Sequence, residues 1–327
     1  MKPFTLSSKP ISVQNPSKSD KIVSVIIPTI GRNELSRAIL SARNQKTVYQ
    51  IEIIVVIDLA QSQITSETLN VLSDADVVVC TGGNSRGGGA RNIGMSYANG
   101  DWLAYLDDDD YWTEDKIEKQ MDLATEILKK GLLPVIGCRV NLHYPKSKTF
   151  TEHTPVSLIQ AGQPIWEYLF HKRRPGAGRS SFATSTMLLP MELARSIEWD
   201  TELKRHQDWD YLLRLSALDG VFFQQIEDSV VVYDVGSQGS ISSSSDWKSS
   251  LDWAQAALVE TSPKTLAEFL SAQTLRYAFQ ARSLTGFIST CLALIRNRRL
   301  PSLQSSLIGF SGIIGRGTLE RIMSVLK

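Results

Sequence analysis

Short apolar runs at 23–27, 51–57, 77–80 and 102–106, the first three rich in β-branched residues, alternate with stretches of helical period, and no other feature of the chain narrows its fold as far. Runs of this kind suit strands buried on both faces, as in a parallel sheet covered by helices. Between the first two, residues 34–45 repeat Leu35, Ala38, Ile39 and Ala42 at the spacing of an amphipathic helix. After the fourth run, Thr113 is placed to cap a helix whose first turn holds Glu114 and Asp115. Its apolar stripe would be Ile117, Met121, Ala124 and Leu128. The order β-α-β-α-β-α-β predicts a doubly wound α/β fold with a mostly parallel sheet, whose ligands bind beyond the carboxyl ends of the strands. Pro28, Thr29, Asp58 and Asp107 to Asp110 all fall at such ends.

The 327 residues suffice for one large domain with an appendage. Thirty-five basic and 34 acidic side chains leave a net charge of +1, without the basic excess of a nucleic-acid-binding protein. Three widely spaced cysteines, with no CxxC pair, argue against a disulfide framework or structural zinc and suit a reducing cytoplasm. Residues 1–20 contain three Pro, five Ser and three Lys but no apolar run, so a disordered arm is expected there instead of a signal peptide. No stretch reaches the ~20 apolar residues of a membrane-spanning helix.

Charge is distributed unevenly. Residues 276–327 hold eight basic side chains against Glu320 alone, a balance of +7, which leaves −6 for residues 1–275. A Ser-rich connector at 237–247 divides a main domain, 21–245, from a helical appendage, 246–327. In the appendage, residues 284–299 and 307–327 mix Leu, Ile and Phe with Arg. Such helices suit peripheral contact of 276–327 with an anionic membrane face, or packing on the main domain or on a second subunit of a homo-oligomer.

Asp107, Asp108, Asp109 and Asp110 follow the fourth strand directly. Four adjacent carboxylates repel one another, which a divalent ion with oxygen ligands, Mg²⁺ or Mn²⁺, would relieve. A solvated acidic turn before the next helix is the other reading. A calcium loop is excluded, because Trp112 stands where its turn requires Gly and Tyr111 where it requires an oxygen ligand. There is no G-x-x-x-x-G-K-[ST] loop, no G-x-G-x-x-G after the first strand and no G-x-S-x-G elbow. His143, His153, His171 and His206 lack metal-ligand spacing.

The order of six short motifs resembles an inverting family 2 glycosyltransferase of the GT-A fold, over roughly residues 22–245. The motifs are VSVIIPTIGR (23–32), EIIVVID (52–58), GARNIG (89–94), NGDWLAYLDDDDYW (99–112), WDTEL (199–203) and QDWDYLLR (207–214). The resemblance implies a nucleotide-sugar site of Pro28, Thr29, Arg32, Asp58, Arg91, Asn92, Asp107 and Asp108. In it Asp58 would accept the imide N–H of a uracil or thymine base. Asp107 and Asp109 match the ends of the family's DxD motif; Asp109 would contact the Mn²⁺ or Mg²⁺ directly, and Asp107 would hold the ribose or a metal-bound water. Asp208 corresponds to the catalytic base, with Ser185, Thr186, Gln207 and Trp209 toward the acceptor. Asp210 would pair with Arg214 one helical turn on. The Gly-rich basic loop 172–179 is expected to close over the diphosphate.

Three departures from the family pattern stand out. Ile57 replaces the first of two acids, Gln207 replaces a Glu, and no His follows Tyr233 and Asp234, so Asp234 or water would complete the metal shell. The expected activity is metal-dependent transfer of a sugar from a UDP- or dTDP-sugar to a glycan or lipid-linked hydroxyl in cell-surface polysaccharide synthesis. The expected setting is the cytoplasm, peripherally at the membrane. Two other readings are a sugar-1-phosphate nucleotidyltransferase and a catalytically silent nucleotide-sugar-binding scaffold.

Overall fold

The computed structural model describes residues 4–8, 21–144, 149–171, 180–235 and 245–314. The chain divides into two compact units. The first comprises Met1–Gly162, Gly178–Leu203 and Gln207–Gln238; the second comprises Gln163–Ala177, Lys204–His206 and Gly239–Lys327.

Among the described residues of the first unit, ten strands form one sheet. In chain order they are β1 (Phe4–Ser8), β2 (Ile22–Thr29), β3 (Gln50–Ile57), β4 (Val77–Cys80), β5 (Trp102–Tyr105), β6 (Tyr111–Trp112), β7 (Leu133–Tyr144), β8 (Thr149–Thr154), β9 (Leu188–Pro190) and β10 (Val221–Asp234). The sheet order is β1-β4-β3-β2-β5-β9-β7-β10-β6, with β8 on β7. The pairs β3–β4, β2–β3, β2–β5 and β7–β10 are parallel. Helices α1 (Leu35–Arg43), α2 (Ser66–Asn70), α3 (Arg86–Tyr97), α4 (Lys116–Leu128), α6 (Met191–Arg195) and α7 (Gln207–Ser216) complete this unit. From β2 the chain moves outward through β3 and β4, then returns to place β5 on the other side of β2. That reversal makes the carboxyl ends of β2 and β5 the topological switch point, where such sheets bind ligands.

The apolar runs are buried as their composition demands. Val23, Val25, Ile26 and Ile27 of β2 are fully buried, as are Ile53 to Ile57 of β3, and Leu35, Ala38, Ile39 and Ala42 of α1 pack into the same core. Gly94 lets α3 approach the sheet, since a Cβ there would stand 2.6 Å from Ile26 Cγ2.

Three local expectations are corrected. Phe4–Ser8, within the expected arm, is a strand paired antiparallel with β4, because the outer edge of β4 offers backbone partners. Helix α4 starts at Lys116 after Asp115, and Thr113 Oγ1 donates to the Asp115 carboxylate at 2.6 Å instead of capping. Within α4, Leu128 is exposed and Ile127 is inside, joined by Lys116 and Gln120, whose side chains hydrogen-bond at 2.7 Å. The Gln120 amide then donates to the Ile136 and Thr186 carbonyls, which gives these polar groups a reason to be buried. Helix α7 opens at Gln207, which places Asp208 in its first turn.

The second unit is helical: α5 (Ile165–Phe170), α8 (Trp247–Ala257), α9 (Pro263–Phe269), a π-helical segment Leu270–Leu275, α10 (Arg276–Gln280), α11 (Leu284–Asn297) and α12 (Leu303–Phe310). Its core joins Phe170, Trp253 and Phe269 in edge-on contacts around His206. Burial pushes that imidazole down to about 3, so it sits there neutral. No helix of the described residues is long and apolar enough to cross a membrane. Residues 315–327, most of the connector 237–247 and the loop 172–179 lie outside the described residues.

Candidate active site

The chain leaves β5 at Tyr105, and the four aspartates turn across the switch point, closed by a bond from Asp110 N–H to the Asp107 carbonyl at 3.1 Å. Their side chains alternate. Asp108 is 3% exposed; it accepts from Thr29 Oγ1 at 2.6 Å and from Arg32 Nη1 at 2.5 Å. Asp110 is also buried and accepts from Ser185 Oγ at 2.6 Å. Asp107 and Asp109 are the accessible pair, 33% and 18% exposed. Burial, reinforced by the charges of Asp107 and Asp109, holds the Asp110 carboxyl well above the usual carboxylate range.

The other expected site residues each have partners within the protein. Thr29 and Arg32 both bond Asp108, and Arg32 Nη1 also lies 3.6 Å from Asp109 Oδ2. Ser185 and Thr186 are buried and support the aspartate turn from behind: Ser185 Oγ also accepts from Asp107 N–H at 3.0 Å, and Thr186 Oγ1 donates to the Ala183 carbonyl at 2.6 Å. Asn92 exchanges two bonds with the Trp199 backbone, each 2.8 Å, and so fastens α3 to the 199–203 segment. Asp58 accepts the backbone N–H groups of Ser85 at 2.9 Å and Arg86 at 2.7 Å, and a hydrogen bond from Thr81. It anchors the start of α3, where a carboxylate also complements the helix dipole. Pro28 ends β2 beside Thr29, Gln207 donates to the Leu203 carbonyl at 2.5 Å, and Trp209 lies half-buried in α7.

Arg91 is the hinge of the site. It is buried, donates to Asp107 Oδ1 at 2.5 Å and lies 4.7 Å over the Trp199 ring. Trp199 in turn stacks on Tyr211 at 4.2 Å and donates from Nε1 to the Tyr105 hydroxyl at 3.0 Å. Asp208, one turn before Tyr211 on α7, faces the same guanidinium. Burial raises the Asp208 pKa, Arg91 pulls it back, Asp107 raises it further, and the Thr184 hydroxyl lowers it. A carboxylate raised in this way is a stronger base than an ordinary one.

Tyr233 and Arg37 belong to the site and carried no motif. Burial, then the charges of Asp110, Asp107 and Asp208, push the Tyr233 phenol well above its usual range. Arg37 donates to the Asp109 carbonyl at 2.9 Å and to Asp234 Oδ2 at 2.6 Å. His143, opposite Asp234 in the β7–β10 register, meets Asp234 Oδ1 at 2.6 Å, so both oxygens of Asp234 are engaged. In the sequence, Tyr233 and Asp234 stood out only as the place where the family's His is missing, and Arg37 only as a position of the first helix. Asp210 pairs with Arg214 at 2.7 Å on the outer turn of α7.

No group of three His, Cys, Asp or Glu side chains among the described residues forms a closed metal cage. A divalent ion shared with a substrate pyrophosphate needs only one or two carboxylates from the protein. Asp107 and Asp109, accessible beside a carboxyl that their own charge has driven upward, fit that demand with hard oxygen donors.

Residues 24–175 match the family described as Glycosyl transferase family 2, a span that holds the switch point, Arg91 and all four aspartates. Residues 24–175 carry a glycosyltransferase family 2 domain. This glycosyltransferase is 28% identical to the amylovoran biosynthesis glycosyltransferase AmsB of Erwinia amylovora, over 81% of its own length and 88% of that protein. Over a shorter stretch, 32% of its length and 41% of the relative, it is 30% identical to the UDP-Glc:alpha-D-GlcNAc-diphosphoundecaprenol beta-1,3-glucosyltransferase WfgD of Escherichia coli. Its fold is that of the crystal structure of S. aureus TarS 1–349 in complex with UDP-GlcNAc, with a TM-score of 0.59 at 17% identity, covering 84% of this chain and 81% of that one. The mostly parallel sheet with flanking helices is thus a GT-A fold, and helices follow it at the carboxyl end.

Proposed function

We propose that the glycosyltransferase moves a sugar with inversion from a UDP- or dTDP-linked donor to a hydroxyl of a glycan or lipid-linked acceptor, with Mn²⁺ or Mg²⁺ as cofactor, in cell-surface polysaccharide synthesis. The observation that carries the reading is that Arg91, bonded to Asp107, also acts through its charge on Asp208, distant in sequence. One carboxylate set for the leaving group and one separate carboxylate for the nucleophile is what such a transfer requires. The names of the similar proteins support the substrate classes: UDP-Glc and a diphosphoundecaprenol acceptor for WfgD, UDP-GlcNAc in the TarS complex, and amylovoran biosynthesis for AmsB. Three free cysteines, two of them buried, suit a cytoplasmic setting, where nucleotide sugars are made.

Asp208 would take the proton of the acceptor hydroxyl as that oxygen attacks the anomeric carbon from the face opposite the diphosphate. Asp109 and Asp107 would hold the divalent ion, which supplies Lewis-acid neutralisation of the departing diphosphate. Arg91 opposes the rise that burial imposes on Asp208 and bonds Asp107, while Trp199, stacked on Tyr211, lies under Arg91. Tyr233 offers a protonated phenol beside both carboxylates.

Asp208→Asn tests the base. It should keep the rise in melting temperature given by UDP with Mn²⁺ yet lose transfer by about 10²–10⁴-fold. Undiminished turnover would remove Asp208 from the mechanism. Asp109→Ala should abolish the metal-dependent part of the UDP shift, and an identical shift with and without chelator in the unaltered protein would rule out the metal role.

A further inference from the structure

Helices α11 and α12 are amphipathic the wrong way round for a water-soluble unit. Their inward residues are small: Gly286, Thr290 and Ala293 on α11, then Ser305 and Gly309 on α12 and Gly312 just beyond it. The packing is close enough to require this. A Cβ at Gly309 would stand 2.3 Å from the Ser271 carbonyl oxygen, and one at Gly312 would stand 2.4 Å from that of Arg276. The outward residues are large and apolar. On α11, Leu284 and Ile295 are each 71% exposed, with Ile288 and Leu292 between them on the same stripe. On α12, Leu303 is 72% exposed, and Leu307 and Phe310 continue its stripe. Phe279 contacts Phe287 of α11 at 5.6 Å and Phe310 of α12 at 5.7 Å, which ties the two helices to one scaffold.

Small residues inside and large apolar ones outside is the pattern of helices whose surroundings are lipid. Large apolar side chains exposed together along two helices mark a surface of contact. The charges beside it select which one. Arg282, Arg296, Arg298 and Arg299 are exposed around the apolar stripe, and residues 276–314 contain no Asp or Glu. A second copy docking by two-fold symmetry would set this patch against itself, arginines against arginines, with no acid in the segment to pair them. An anionic bilayer meets both demands. The 14 residues of α11 extend only about 21 Å, short of the hydrocarbon core, so the helix would lie in the interface and not span it.

We propose that the outward face of α11 and α12 docks on an anionic lipid bilayer, the Leu, Ile and Phe side chains entering the headgroup–acyl boundary and the arginines meeting lipid phosphates. The inference stands apart from the identity of donor, metal and base. Co-sedimentation of the full-length protein with phosphatidylcholine vesicles, with and without about 30% phosphatidylglycerol, tests it. Binding to the anionic vesicles should be stronger by about tenfold and should weaken as salt is added. The triple substitution Ile288→Ser, Leu292→Ser and Leu307→Ser should reduce that binding by about tenfold or more. Arg296→Gln with Arg298→Gln and Arg299→Gln should bring anionic binding down to the phosphatidylcholine level. All six side chains are exposed, so unchanged thermal unfolding is expected of both variants. The proposal is overturned if the full-length protein binds neither vesicle, or if both variants bind as the parent does. It is equally overturned if light scattering shows an oligomer that the serine variant splits into monomers while vesicles capture neither form.

Discussion

Asp107 and Asp208 lie about a hundred residues apart in the chain, yet the single guanidinium of Arg91 serves both, pairing with Asp107 at 2.5 Å and opposing the rise that burial imposes on Asp208. The pH dependence of transfer follows from that balance. The acid limb of kcat/KM should lie above the ordinary carboxylate range, because the base must be ionised and burial has raised its pKa. Arg91→Gln removes the opposing charge, so the limb should move to still higher pH, which a pH profile of the two proteins would read. Asp58 carries a second prediction at this scale. Its carboxylate receives the Ser85 and Arg86 N–H groups, so Asp58→Ala should cost about 1–2 kcal/mol in denaturant unfolding as well as any nucleotide affinity. The run of aspartates was legible in the sequence, but its division was not. Which two face outward depends on Thr29, Arg32 and Ser185, contributed by other parts of the chain.

Elements were legible where their pattern is local. The four apolar runs appear as β2 to β5, and α1 buries the four residues its period selects. Helix α4 departs from its period because Lys116 and Gln120 gain buried partners that only the folded sheet supplies. Close packing between elements makes two further predictions. Gly94→Ala would set a Cβ 2.6 Å from Ile26 Cγ2 and 3.0 Å from Val56 Cγ2, and should cost about 1–3 kcal/mol in chemical denaturation. In the helical unit, the buried Glu268 accepts from Ser302 N–H at 3.0 Å and Ser302 Oγ at 2.7 Å, and from Ser305, holding the start of α12. Glu268→Ala strands those donors, so a loss of about 1–3 kcal/mol is expected, with faster amide exchange in α12. Unchanged exchange there would contradict the role.

For the molecule as a whole, Lys116 shapes how stability varies with pH. It is fully buried 3.8 Å from the Trp112 ring, and burial brings its pKa down to about 7. Unfolded, the amine keeps its proton up to its ordinary 10.5. Between these values the unfolded chain binds more protons, so raising the pH favours the folded state, by up to about 1.4 kcal/mol per pH unit; below about pH 7 this group adds no slope. Lys116→Met should remove that slope, seen as the difference between the two proteins' stability–pH curves. The chain's own order of residues determined the alternation of strands and helices and the placing of acids at strand ends, because burial period and strand termination are written in neighbouring positions. Tertiary structure alone decided that Arg91 would bond Asp107 and act on Asp208 as well, that Tyr233 and Arg37 would join them, and that α11 and α12 would turn their large side chains outward. Each of those outcomes depends on partners far away in the chain, which no local period encodes.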